Sequence, residues 1–327
     1  MATIIDLLQR SGLKGRGGAN FPTYLKWQAV ADAVEKNPEH KSFVICNGAE
    51  GEPGFFKDAY ILEHHPEILI AGIKLALDTF QSERAIIYLR KTYYQQYRRK
   101  LEAIIAHVRL PISLFAETGG YLCGEETTLL ETLEGRLDEP RLRPPFPTSV
   151  GYQGYPTLVS NLETFYDVYL VSKGEYAGKR FYSLSGDLQH PGVYELPESY
   201  SVRQVLMETG NLPTFKYFVQ VGGGASGEIY TDKELTTAQG GSIIVYDRAK
   251  TDPLKLMKQW IKFFHQENCG KCAPCREGVR RIKELLEEPK LNTKELRSIL
   301  ATMRDTSFCP LGKSVYYPFN SLLEKIK

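Results

Sequence analysis

Three cysteines at identical two-residue spacings, in Asn268-Cys269-Gly270-Lys271-Cys272-Ala273-Pro274-Cys275-Arg276, and a fourth in Phe308-Cys309-Pro310-Leu311-Gly312, constrain this chain more than any other feature. A CxxCxxC run brings three thiolates off one tight loop onto three corners of an iron–sulfur cubane. The remote cysteine, stiffened by the proline after it, must fold back to close the fourth corner. A structural zinc ion is the alternative, but zinc usually draws its four cysteines as two separated CxxC pairs. The spacing favours the wider cluster, so Cys269, Cys272, Cys275 and Cys309 are the candidate metal ligands of a chain that moves electrons. Cys46 and Cys123 lie in apolar or glycine-rich surroundings and are expected as buried free thiols.

With 327 residues, 42% of them hydrophobic and 24% charged, the chain can build two or three cores, and disorder is excluded. Its 41 basic against 39 acidic side chains argue against a nucleic-acid surface, and the patch Tyr97-Arg98-Arg99-Lys100 reads as a solvated helix face. No signal-peptide pattern opens the chain. The longest apolar stretch, 68–77, is too short and interrupted to span a bilayer, so no direct membrane insertion is expected. Clustered rather than scattered cysteines fit a reducing compartment, and the expected location is cytoplasmic, or peripheral to the inner membrane through a complex.

The period of the apolar residues changes along the chain. Residues 41–46 (KSFVIC), 84–89 (RAIIYL) and 111–115 (PISLF) read as buried strands, 1–9, 61–80 and 93–107 as helices, which implies an α/β domain around a parallel sheet over 1–170. A proline- and glycine-rich stretch, 140–156, has no period and is expected as a long functional loop. Short strands at 181–187, 192–195, 217–222 and 242–246 around one helix at 201–209 suggest a small α+β domain of the β-grasp kind over 171–250. Helical periodicity at 254–266, 276–288, 293–304 and 317–326 gives a four-helix bundle over 251–327, with the four cysteines between its helices.

Three loops attract attention. Gly12-Leu13-Lys14-Gly15-Arg16-Gly17-Gly18-Ala19-Asn20-Phe21 fails as a dinucleotide fingerprint, because Asn20 replaces the third glycine and a helix rather than a strand precedes it. It can still bring bare backbone N–H groups, with Arg16 and Lys26, against an anionic ligand. Asn47-Gly48-Ala49-Glu50-Gly51-Glu52-Pro53-Gly54-Phe55-Phe56-Lys57-Asp58 leaves the carboxyl end of the first strand, where ligands of open α/β sheets bind, and carries an amide, the two carboxylates Glu50 and Glu52, and two aromatics. Gly119-Gly120-Tyr121-Leu122-Cys123-Gly124-Glu125-Glu126 follows a strand and opens a helix, and its two acids can equally serve the helix dipole.

Together these segments resemble one family. Residues 12–27 resemble GLRGRGGAGFPTGLKW, 47–58 resemble NADExEPGxxKD, 121–135 resemble YxCGEETALLxSLEG, 141–147 resemble RxKPPFP, and the cysteine segments resemble ESCGxCxPCREG and CPLG. This is the pattern of the flavoprotein subunit of respiratory NADH dehydrogenase and of the diaphorase subunits of NAD-linked hydrogenases and formate dehydrogenases. The resemblance implies a Rossmann-like flavin-binding α/β domain, a β-grasp domain and a helical bundle holding a [4Fe-4S] cluster. It places FMN against Gly15, Arg16, Gly18, Lys26, Asn47, Glu50, Gly124 and Asn161, and NAD(H) against Phe21, Glu52, Glu125, Glu126 and Phe146, with Arg143 in place of a family lysine. The implied chemistry is hydride transfer from NADH to FMN and single-electron passage to the cluster, with no side chain acting as acid or base. Implied partners are a thioredoxin-like [2Fe-2S] subunit and a larger iron–sulfur, hydrogenase or dehydrogenase subunit, since the chain opens close to the glycine loop without a fused domain of either kind.

The departures from the pattern are Ala49 for a flavin-contacting aspartate, Ser160 for an asparagine, Arg143 for a lysine and Ala29 for an aromatic residue. A lost hydrogen bond costs on the order of 1 kcal/mol, so FMN binding is expected weakened rather than abolished. The alternative is a flavin-depleted subunit that keeps its cluster as an electron wire.

Overall fold

Four short apolar runs pair into an all-parallel sheet in the computed structural model, which describes residues 2–236 and 240–326. The chain divides into two compact units, Met1–Gly51 with Phe56–Lys179, and Glu52–Phe55 with Arg180–Lys327. The first unit runs α1 (Ile4–Ser11), α2 (Thr23–Glu35), β1 (Phe43–Gly48), α3 (Lys57–His64), α4 (Pro66–Phe80), β2 (Arg84–Leu89), α5 (Lys91–Val108), β3 (Ile112–Ala116), α6 (Glu126–Leu133), β4 (Thr157–Asn161) and α7 (Leu162–Lys173). Its strand order is β3-β2-β1-β4. The strands are continuous apolar runs, as a sheet covered on both faces requires: Val44, Ile45, Cys46, Ile87 and Leu89 are fully buried.

The single helix expected over 61–80 is two helices. Pro66 has no N–H to continue α3 but suits the first position of a new helix, so α3 ends at His64 and α4 begins at Pro66. Gly72 of α4 lies so close to α7 that a Cβ there would stand 1.9 Å from the Phe165 carbonyl oxygen, which only glycine accommodates. The stretch 140–156 has no regular element beyond a short 3-10 turn at Tyr152–Gly154, and β4 follows it at once. Register then fixes the site. Asn47 of β1 pairs with Asn161 of β4, so two amides meet at the carboxyl ends of adjacent parallel strands.

In the second unit β5 (Lys179–Gly186), β6 (Gly192–Pro197), α8 (Val202–Glu208), β7 (Tyr217–Val221), β8 (Glu228–Thr231) and β9 (Ser242–Asp247) form a five-stranded sheet of order β6-β5-β9-β7-β8 with one helix. Strands β5 and β9 are parallel, while β7 runs antiparallel to β8 and β9. A capping box between Ser201 and Gln204 starts α8, whose Val202, Val205 and Leu206 pack on Tyr182, Val219 and Ile243. Strand β8, absent from the expected set, is four residues on the sheet edge, too short to show a period.

Helices α9 (Pro253–Glu267), α10 (Ala273–Leu285), α11 (Thr293–Thr306), α12 (Pro310–Ser314) and α13 (Tyr316–Lys325) follow. The one not expected, α12, is little more than one turn, opened by Pro310 directly after Cys309. Trp260 of α9 meets Phe319 of α13 edge to face, ring centroids 5.5 Å apart. No described helix is long and apolar enough to cross a membrane.

Candidate functional site

The glycine loop between α1 and α2 is closed on itself. Gly15 N donates to Phe21 O at 2.8 Å, Thr23 N to Leu13 O at 3.0 Å, and Lys14 bridges Pro22. Gly18 has φ +101°, a conformation that favours glycine, and a Cβ there would meet nothing within 4 Å. Arg16 does not present its charge there. Its Nε meets Asp167 Oδ2 at 2.9 Å, Nη2 donates to Tyr176 Oη and to Lys179 O, and its N–H donates to Thr164 Oγ1. Burial disfavours the charged guanidinium, but Asp167, Glu163 and Tyr176 hold its pKa above the usual value. Arg16 thus pins the loop to α7.

Beneath the loop, Asn47 and Asn161 stitch the strand ends together. Asn47 Nδ2 donates to Gly124 O at 2.9 Å and its Oδ1 accepts from Ala49 N; Asn161 Nδ2 donates to Asn47 O and to Asp58 Oδ2. Gly124 is required by close approach, since a Cβ there would stand 2.9 Å from Ala49 O. Ala49 itself packs against the apolar cluster of Phe43, Ile45, Cys123 and Leu129.

A buried charge network adjoins these amides. Lys57 Nζ lies 2.5 Å from Asp58 Oδ1, 2.9 Å from Asn161 Oδ1 and 3.3 Å from Glu163 Oε2. Glu50 Oε2 accepts from Tyr93 Oη at 3.0 Å and from Asp58 N at 3.1 Å, whereas its Oε1 is buried with no hydrogen-bond partner. Burial and the Asp58 carboxylate push Glu50 up to about 8. Sequence reasoning gives Lys57 and Asp58 no role beyond closing the 47–58 segment that carries the resemblance, and does not single out Tyr93 or Glu163, because burial of such a charge pair is invisible in a sequence.

Of the remaining site candidates in the first unit, Lys26, Glu126, Arg143 and Glu125 form a chain of ion pairs. Glu125 caps α6, its Oε2 accepting from the N–H and hydroxyl of both Thr127 and Thr128 at 2.6–3.0 Å. Its Oε1 is held by Arg143, whose other nitrogen is 3.6 Å from Glu126. Lys26 Nζ is 2.5 Å from Glu126 Oε1 and donates to Val159 O. Phe21 and Phe146 are half-exposed rings. Glu52 belongs to the second unit, where its Oε1 accepts from Ser226 N, Ser226 Oγ and Ala225 N.

All six cysteines carry free thiols, and Cys46 and Cys123 are buried. Cys272 is the N-cap of α10 and Cys275 lies in its first turn; Cys309 is the N-cap of α12. Burial, then the neighbouring Cys272, Cys309 and Cys269, push Cys275 up to about 12, so the four thiols share one electrostatic neighbourhood. A Cβ on Gly312 would stand 3.0 Å from Cys275 Cβ, which brings the Cys309 segment against α10. Among the described residues, no three His, Cys, Asp or Glu side chains converge as a single-ion site.

Two family patterns cover most of the chain: the Nuo51 FMN-binding domain over residues 8–170, and the NADH-ubiquinone oxidoreductase-F iron-sulfur binding region over 255–327. Similarity to the second F-type subunit of NADH-quinone oxidoreductase in Rhizobium meliloti (strain 1021) reaches 36% identity, covering 94% of this chain and 83% of that protein. The chain belongs to the NADH-quinone oxidoreductase-F family. Its relatives are not confined to quinone reductases, because NADP-reducing hydrogenase subunit HndC of Solidesulfovibrio fructosivorans is 30% identical over 99% of this chain and 74% of that one. The crystal structure of an NAD+-reducing [NiFe]-hydrogenase in the H2-reduced state superposes with TM-score 0.90 at 34% identity, over 98% of this chain. The match spans 60% of that hydrogenase chain's length.

The site fits what the family holds. A glycine loop, two amides at strand ends and an unpartnered Glu50 oxygen suit a flavin nucleotide, and half-exposed phenylalanines suit a second planar base. Four free thiols, two of them at helix N-termini, suit an anionic cluster.

Proposed function

We propose that this chain is the NADH-oxidising flavoprotein subunit of a multi-subunit oxidoreductase, delivering electrons one at a time to its [4Fe-4S] cluster and on to a partner, or working in reverse to reduce NAD+. One observation carries the reading: a single chain combines the Asn47–Asn161 pair under the glycine loop with a four-thiol set after α9. FMN, when bound, accepts a hydride from NADH and gives its electrons up singly.

In this reading Gly15 and Gly18 let FMN approach the loop, Gly15 keeping it closed through its N–H to Phe21 O and Gly18 offering its own N–H, while Gly124 lets the ring approach and Lys26 supplies positive charge. Asn47, Asn161 and Glu50 complete the flavin's polar contacts, while Arg16 keeps the loop in shape from behind. Phe21 and Phe146 stack the nicotinamide nucleotide, and Glu125, Glu126 and Arg143 orient its riboses and phosphates; Glu52, in the second unit, is a nucleotide-binding candidate by its resemblance alone. Cys269, Cys272, Cys275 and Cys309 hold the cluster. The first unit's sheet reads as Rossmann-like, the second sheet with α8 as a β-grasp domain, and α9–α13 as the bundle around the cluster. The partners are a thioredoxin-like [2Fe-2S] subunit and a larger iron–sulfur, hydrogenase or dehydrogenase subunit, with the assembly in the cytoplasm or on the inner membrane's face. Anaerobic mixing of the FMN-loaded protein with NADH tests this: the yellow flavin absorbance should bleach. A protein that takes up no flavin from excess FMN contradicts the reading and leaves an iron–sulfur electron wire.

A further inference from the structure

Glu50 sits where negative charge is crowded. From α3 it faces Lys57 and Asp58, from α5 Tyr93, from the turn before α5 Arg90, whose Nη1 donates to the Glu50 carbonyl at 3.2 Å. Glu163 of α7 shares Lys57, the buried Cys46 thiol of β1 lies against Asp58 and Lys57, and the Arg16–Asp167 pair stands next to Glu163. Three cations, Lys57, Arg16 and Arg90, thus face four carboxylates, Asp58, Glu163, Asp167 and Glu50. Arg90 bonds the Glu50 carbonyl and not its carboxylate, Lys57 is in contact with Asp58 and Glu163, and Glu50 Oε1 is buried with no hydrogen-bond partner. Asp58 has the lysine and the Asn161 amide to hold its charge, and Glu50 has only a phenol and one backbone N–H. Burial pushes both carboxyls up, Glu50 to about 8, but Lys57 and the Asn161 amide oppose the rise at Asp58, so the pair's shared proton is assigned to Glu50.

We propose that Glu50 couples proton release to loss of the flavin: it is a neutral acid in the binding-competent state, and its ionisation places an uncompensated charge under the strand ends where an anionic FMN binds. The proton passes to bulk water, and no oxidation state changes. This rests on the FMN reading above.

The test is FMN fluorescence quenching on the full chain stripped of flavin, from about pH 7 to about pH 9.5, a window above the phosphate's own ionisation near 6. Native protein should hold a constant Kd up to about pH 8, after which Kd rises toward the one-proton limit of about tenfold per pH unit. Glu50→Gln, permanently neutral and of the same shape, should change less than about twofold over the same range. Tyr93→Phe removes a hydrogen bond that favours the ionised form, so its break should move to higher pH. A flat native profile, an equal fall in Glu50→Gln, or a break left in place by Tyr93→Phe overturns the proposal; the Tyr93 result decides if the glutamine variant does not fold. Absence of FMN binding at every pH instead overturns the flavin reading, and this proposal with it.

Discussion

Arg16 in the glycine loop is ion-paired with Asp167 on α7 at 2.9 Å, and both side chains are almost wholly buried. The loop's shape therefore depends on a residue 151 positions away. Removing one member of a buried pair leaves the other's charge unanswered, at a cost of about 3–5 kcal/mol. Asp167→Asn should lower the melting temperature by several degrees and reduce retained FMN, although Asp167 is not expected to touch the cofactor. Gel filtration in flavin-free buffer, followed by flavin release on heating, measures the second effect. Unchanged stability and flavin content would show that the pair does not shape the loop.

The stability of the flavin-free protein should also respond to Glu50. Its folded-state pKa is raised, so its contribution is fully present below the ordinary carboxylate value and is lost as pH rises toward about 8. The lost stability is on the order of a few kcal/mol. Melting temperature should fall across this window in the native protein and fall less in Glu50→Gln. Parallel melting curves for the two would place the proton elsewhere in the network.

At Ala49 the structure changes the simple expectation that an acid restores flavin. The alanine packs on Phe43, Ile45, Cys123 and Leu129, so an aspartate there loses solvation unless it turns toward the cofactor. Ala49→Asp should therefore lower stability without FMN and recover part of it with excess FMN, giving a larger ligand-induced rise in melting temperature than the native protein shows. An equal rise in both proteins would mean that the new carboxylate never reaches the flavin.

The sequence made the parts legible and left their wiring hidden. The spacing of Cys269, Cys272 and Cys275, and the strand runs around Ile45 and Ile87, carry their meaning locally, through ligand geometry and burial on both faces of a sheet. The break at Pro66 is also written locally but lies inside a long apolar run that masks it. Arg16 with Asp167, and Lys57 with Glu163, are meetings of residues more than 100 positions apart. No local period encodes such a meeting. Glu125 is intermediate: its place at the start of a helix reads as service to the helix dipole, and the structure makes it the cap of α6 alongside its contact with Arg143.

Nucleotide choice should turn on Arg143, which is divided between Glu125 and Glu126. Two carboxylates beside it disfavour a 2′-phosphate, so the native protein should prefer NADH. Glu126→Gln frees part of the Arg143 charge, and the kcat/KM ratio of NADH to NADPH should fall by about tenfold, an effect of about 1.4 kcal/mol. A ratio that does not move would remove Glu126 from the discrimination.

The central claim is that hydride capture and single-electron delivery are separate tasks of one chain, carried by the first unit's cradle and by the four thiols. Replacing Cys272 with serine and following NADH oxidation at both centres tests it most directly. A hard alkoxide is a poor iron ligand, so brown absorbance, acid-labile sulfide and electron delivery to an iron–sulfur acceptor should be lost, while NADH still bleaches the bound flavin. Normal iron content with undiminished acceptor reduction in that variant would contradict the account.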